Sequence, residues 1–169
     1  PSLPDESVVL EGSHCWLEPL DADRHSLDLY EAYTKDTDGR LWTYIPNGPW
    51  ESHAQFDTWV RGVHHKPDPF FYAIIDQATG KAVGIASYLR IDPASQSIEV
   101  GYITYSNLMQ RTPISTECMY LMMRGAFDLG YRRYEWKCNA MNRPSIDAAM
   151  RLGFSFEGLF RQATMVKGH

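Results

Sequence analysis

A chain of 169 residues has room for one domain with a real core and is short for two. Its net charge of −5, from 16 basic and 21 acidic side chains, lacks the basic excess of a nucleic-acid binder. Its apolar runs are too short and interrupted to span a bilayer, so neither nucleic acid nor membrane is an expected partner.

No charged-then-apolar leader opens the chain. Cys15, Cys118 and Cys138 leave an odd thiol in any disulfide scheme and have no metal-ligand spacing, which predicts reduced thiols and a cytoplasmic setting. His64-His65 reads as a solvated helix end, and no metal is expected.

Pro1 to Ser7 read as a loose tail, with residues 1–13 leading into a single domain over 14–169. A strand is predicted around His14 to Leu20, then a helix capped within Asp21 to Asp23 and running to about Tyr33. The stretch Leu41 to Trp50 is a loop by its prolines and glycine, yet rich in aromatics. It suits either satellite core or a binding wall, with Trp42, Tyr44 and Trp50 as candidate substrate contacts. Glu51-Ser52 starts a second helix, with Phe56, Trp59, Val60 and Val63 at helical spacing.

From Phe70 the period shortens. Phe70 to Ile75 and Ala82 to Ile91 read as a hairpin, and Ser97 to Tyr105 as a third strand. Helical spacing returns at Cys118, Leu121, Met122, Gly125, Ala126 and Leu129, with Gly130 placed to end that helix. A strand over Tyr134 to Cys138, a helix over Pro144 to Leu152 and a last strand from Phe154 to about Val166 follow. The crossover sets Tyr134 to Cys138 parallel to Ser97 to Tyr105, giving a mixed sheet of the α+β class.

Two helix starts fall beside that parallel pair. Gln110 to Glu117 spans one, where free N–H groups, the positive end of the macrodipole and Arg111 suit a phosphate. An ordinary helix capped by Ser115 or Thr116 accounts for the same residues. In the other, Asn142 suits an N-cap, Pro144 the first turn, and Ser145 a bond back to the cap. Open sheets bind ligands in crevices at such strand ends, which makes Asn142 and Ser145 candidate contacts as well.

In order along the chain, Ile98-Glu99-Val100-Gly101-Tyr102, Gln110 to Glu117, Asn142-x-x-Ser145 and Leu152-Gly153-Phe154 with Glu157-Gly158 resemble the GNAT superfamily of N-acetyltransferases. The likeness is to the branch of ribosomal-protein N-terminal acetyltransferases and covers roughly Cys15 to Lys167; the Leu41 to Pro49 loop resembles one subgroup. It implies the GNAT fold, a mostly antiparallel mixed sheet of six to seven strands flanked by four helices. It implies acetyl-CoA as cosubstrate, no metal, and a primary amine as acceptor.

By the same resemblance, the cofactor contacts are Ile103, Thr104, Gln110, Arg111, Thr112, Pro113, Ile114, Ser115, Thr116, Asn139, Asn142 and Ser145. Backbone N–H groups near Ile103 and Thr104 would face the oxyanion, and Ser145 would protonate the leaving thiolate, with Tyr102 and Tyr105 as alternatives. Glu99 is the candidate general base through a water, since burial would penalise its charged form; a half-exposed strand charge is the other reading. Tyr102 also joins the candidate substrate contacts. A covalent route through Cys138 would need a neighbouring base that the sequence does not supply.

Two departures from the family pattern stand out. Pro113 and Ser115 occupy glycine and small-residue positions of the pyrophosphate loop, and Pro113 deletes one N–H donor. Relatives usually end with a further strand beyond the position of His169, so the final hairpin is open between being incomplete, unobserved or supplied by a neighbouring subunit, and a homodimer is one of those arrangements. A non-catalytic acyl-CoA sensor, or an interaction domain using the Trp42 to Trp50 loop, are the alternative functions.

Overall fold

A computed structural model of the chain describes residues 1–165. Its elements in chain order are β1 (Leu10–Glu11), β2 (Cys15–Pro19), α1 (Ala22–Tyr33), a 3-10 turn (Arg40–Trp42) and α2 (His53–Val63). Then come β3 (Phe70–Asp76), β4 (Ala82–Asp92), β5 (Ser97–Tyr105), α3 (Pro113–Asp128), β6 (Arg133–Trp136) and α4 (Arg143–Arg151). The helices start where side chains can hold their first amides. Asp21 accepts from the Arg24 N–H and Ser52 from the Gln55 N–H. Gly130, at φ 92°, follows the end of α3, in a conformation that a residue with a Cβ adopts at a cost.

Among the described residues the six strands lie in sequence order, antiparallel except for the parallel pair β5–β6. Strand alternation feeds two cores. On one face Tyr72, Ile74, Tyr88, Ile98 and Val100 pack under α3 through Cys118, Met119, Leu121 and Met122. On the other Phe71, Ala73, Ile75 and Ile85 meet Leu29 and Tyr33 of α1 and Phe56 and Val60 of α2. This is an α+β fold.

Three polar side chains tie the layers together. Glu117 on α3 accepts backbone N–H groups from Ser13, His14 and Cys15, clamping the β1–β2 turn. Tyr88 donates to the Met122 carbonyl, and Tyr33 reaches across from α1 to the Thr104 carbonyl at 2.9 Å.

Two irregularities shape the sheet around β5. Ile85 pairs with Thr104 but Ser87 with Gly101, so Tyr102 and Ile103 stand opposite Ala86 alone. Tyr102 sits at φ 48° in this bulge. A second bulge lies at Arg90 (φ 48°) and Ile91, whose two N–H groups are caught by the Asp68 carboxylate.

Several expectations shift. The lead-in holds β1, and the tail is tied down by the Ser2 N–H on the Leu129 carbonyl. Strand β6 ends at Trp136, two residues short of the expected Cys138. The last strand does not form over residues 154–165, and Val166 lies outside the described residues. A strand exists only through a partner's ladder, and no described strand pairs with this segment. Phe156, Leu159, Phe160 and Met165 are accordingly exposed. Among the described residues no helix is long and apolar enough to cross a membrane.

Candidate active site

Strands β5 and β6 run together for four residue pairs, ending at Val100 with Trp136. Beyond that point β5 turns into its bulge while the chain after β6 leaves for α4, so the parallel strands part. The gap opens between the N-termini of α3 and α4. The sequence signals of both helix starts therefore converge on one place.

At α3 the cap position is Thr112, not Ser115 or Thr116, and no side chain caps the turn. The Thr112 hydroxyl turns back to the Met109 carbonyl, and Ser115 Oγ donates to the Thr112 carbonyl. Pro113 occupies the first helical position and Ile114 is buried, while Arg111, at φ 60°, is exposed beside the turn with Gln110 and Thr116. Gln110 Nε2 donates to the Tyr105 carbonyl.

At α4 Asn142 is the cap, accepting from the Ser145 N–H at 3.3 Å, and Asn139 holds the Met141 N–H. The Ser145 hydroxyl accepts from the Trp136 indole N–H at 3.0 Å. An indole N–H can only donate, so Ser145 Oγ must accept there and keeps its own proton for another partner. Tyr105 faces the α3 core, donates to the Ser115 carbonyl, and is pushed well up by burial. Cys138 is exposed.

Glu99 lies on the α1–α2 face of β5 and is 4% exposed. It is not a free carboxylate. Arg90 Nη1 donates to Oε1 at 2.7 Å and Lys137 Nζ to Oε2 at 2.5 Å. Lys137 also holds Glu135, directly opposite Glu99 across the parallel pair, so one ammonium separates two facing carboxylates. Alternating charge continues through Arg133 to Glu157. Burial works against the Lys137 charge, yet its bonds to Glu135 and Glu99 hold the ammonium above its usual range.

Further along β5 than Glu99, Tyr102 of the bulge and Thr104 line a narrow aromatic pocket. Trp42, Ile45, Trp50, Phe56, Trp59, Tyr33, Tyr102 and Thr104 are among its walls, and its ≈ 10 Å³ admits about one water-sized group. The rings brace one another: Trp50 on Trp59 at 5.5 Å, Trp59 on Phe71 at 5.7 Å, Phe71 on Tyr102 at 5.7 Å. Trp42, Trp50 and Tyr102 thus line the pocket. Tyr44 does not; its hydroxyl donates to the Met141 carbonyl at 3.0 Å, tying the α1–α2 loop to the approach to α4.

Sequence reading missed Arg90 and Lys137, the partners of Glu99, and Trp136, the partner of Ser145. Lys137 and Trp136 sit just upstream of the Asn139–Ser145 motif, and alternation along β6 was the available signal. Arg90 is aimed by a bulge, which no pattern announces.

A mixed sheet whose parallel pair at one edge, β5–β6, parts beside two helix N-termini is the architecture of the GNAT acetyltransferases. The chain belongs to the acetyltransferase (GNAT) domain family, matching it over residues 15–155. It is 42% identical to a GCN5-related N-acetyltransferase from Brucella melitensis, with a TM-score of 0.95 over 99% of this chain and 76% of that one. A probable acetyltransferase (GNAT family) from Chromobacterium violaceum is 36% identical, with a TM-score of 0.91 over 99% and 83%. The ribosomal-protein-serine acetyltransferase of Escherichia coli (strain K12) is 32% identical over 81 residues, 48% of this chain and 45% of that protein, less than half its length.

Proposed function

We propose that the chain is an acetyl-CoA-dependent N-acetyltransferase acting on a primary amine, carried by a small molecule or a protein N-terminus. The observation that carries this reading is the parting of β5 from β6 beyond Val100 and Trp136. It frees the β6-facing backbone of β5 to pair with the amides of the pantetheine arm. The uncapped start of α3 and Arg111 suit the phosphates, and the aromatic pocket, with Trp42, Trp50 and Tyr102 in its wall, suits an apolar group of the acceptor amine.

In the reaction the amine nitrogen attacks the thioester carbonyl, and backbone N–H groups around Ile103 and Thr104 donate to the oxyanion. The ammonium proton passes through a water to Glu99. A carboxylate has about four lone-pair sites, so Arg90 and Lys137 orient Glu99 while leaving acceptor capacity. As the C–S bond breaks, the thiolate takes the Ser145 Oγ proton, and Ser145 is reprotonated from solvent.

An acetyl-CoA consumption screen against amine classes tests the reading. With a turned-over amine in hand, Glu99→Gln should lower kcat on the order of 10²- to 10⁴-fold. Turnover at the wild-type rate would exclude Glu99 as base. The ion pairs of Glu99 favour one second reading, an acyl-CoA sensor without turnover. Calorimetric binding of acetyl-CoA with no consumption across the panel would establish it.

A further inference from the structure

Away from the cleft, ligand-type side chains from three separate segments meet where α1 begins and α2 ends. Asp21, His64 and His65 each bring one ligand atom within 4.8 Å of the others. His64 is the C-cap of α2, with ψ 155°, and His65 follows at φ 58°, in the left-handed region. That turn sets two consecutive imidazoles side by side, ring centroids 4.1 Å apart. Asp21 divides its carboxylate: Oδ1 accepts from the Arg24 N–H, and Oδ2 lies 3.3 Å from His65 Nε2. The other nitrogen of that ring, Nδ1, is 3.0 Å from Glu6 Oε1.

We propose that Asp21, His64 and His65 bind a divalent transition-metal ion of the zinc type, with Glu6 as the outer partner of His65. A tetrahedral ion with bonds of about 2.0–2.1 Å holds neighbouring donors about 3.3 Å apart. That is the separation of His65 Nε2 and Asp21 Oδ2. The ion enters between them, and any proton on Nε2 leaves to solvent. Glu6 then accepts the Nδ1 proton, fixing the tautomer and orientation of the ring as carboxylates do behind metal-bound histidines. The two carboxylates balance the charge of a divalent ion.

His64 supplies the third ligand. Its Nδ1 accepts from the Ala22 N–H at 3.3 Å, a long bond given up as the ring turns a lone pair to the ion. Water completes the shell. The ligands come from positions 21, 64 and 65 and their outer partner from position 6, which is why no motif spacing registers them. The filled site would pin the start of α1 to the end of α2, the helices behind the aromatic pocket. The inference stands independently of acetyl transfer.

The test is a calorimetric titration of the untagged full chain with zinc chloride, repeated with cobalt(II) to read ligand geometry by visible absorption. One saturable site is expected, with a rise in Tm at saturating zinc and the visible bands of low-coordinate cobalt. His65→Ala and Asp21→Asn should each weaken binding by more than about tenfold, and Glu6→Gln by about tenfold. Asparagine keeps the helix cap, so Asp21→Asn tests the ligand rather than the fold. Metal-free melting curves run alongside, and should Asp21→Asn melt early, the exposed His65 decides. Absence of a saturable site, or zinc binding that His65→Ala leaves unchanged, overturns the proposal.

Discussion

Ser145 shows how one side chain serves two demands. Its backbone N–H completes the cap of α4 on Asn142, while its hydroxyl accepts from Trp136. A donor on Oγ polarises the remaining O–H and steadies the oxygen when that proton is given up. Ser145→Ala should therefore lower kcat on the order of 10²-fold with little change in the acetyl-CoA KM. Trp136→Phe keeps the ring against Phe154 but removes the N–H, and should cost part of the same factor. The double variant should be no slower than Ser145→Ala; additive losses in kinetics would separate the two residues. From the sequence Ser145 was open between cap and acid, because both uses put serine at the same helical position. Only the neighbour on β6 distinguishes its backbone work from its hydroxyl.

At the scale of elements, short loops and helix ends set the site, and these were unevenly legible. The strand and helix interiors follow from period, as with Ser97–Tyr105, placed alike by alternation and by structure. The bulge at Tyr102 was not legible, since it depends on how β4 and β5 register. The α3 start was read as a helix N-terminus correctly, but its cap was misplaced, because Thr112 turns its hydroxyl backwards. Replacing Pro113 by Gly restores an N–H at the first turn and should tighten acetyl-CoA binding in calorimetry. In the α1–α2 loop Gly48 adopts φ 79°, and a Cβ there would lie 2.5 Å from the Trp42 ring. Gly48→Ala should displace Trp42, raise the acceptor KM and leave acetyl-CoA affinity unchanged. A wild-type KM would mean that the pocket is not where the acceptor lies.

Across the whole molecule, the two faces of one sheet carry different duties, the α3 face holding the main core and the α1–α2 face the pocket. Hydrophobic periodicity revealed both faces. It could not reveal their polar ties, whose partners lie as far apart as Ser13 and Glu117. Although burial opposes it, the three backbone N–H groups hold the Glu117 carboxyl below its ordinary range. A carboxyl depressed on folding contributes stability above its unfolded pKa of about 4.3 and loses it as pH falls through the folded value. Denaturant midpoints should therefore drop on acidification below about pH 4.3, and Glu117→Gln should flatten that fall. At neutral pH this variant should lose about 1.5–3 kcal/mol, measured by urea unfolding. A midpoint equal to wild type would show that the clamp adds nothing to stability.

The hitch from Tyr33 to the Thr104 carbonyl divides the proposed acceptor wall into a fixed post and an exchangeable panel. Helix α1 is moored to the strand that would face the thioester, so altering it would shift the backbone proposed to donate to the oxyanion. The stretch from Thr34 to Ser52 bears on the site through ring contacts and the Tyr44 latch. Grafting that segment from a relative is thus the natural route to a new amine preference, with the chemical machinery left in place.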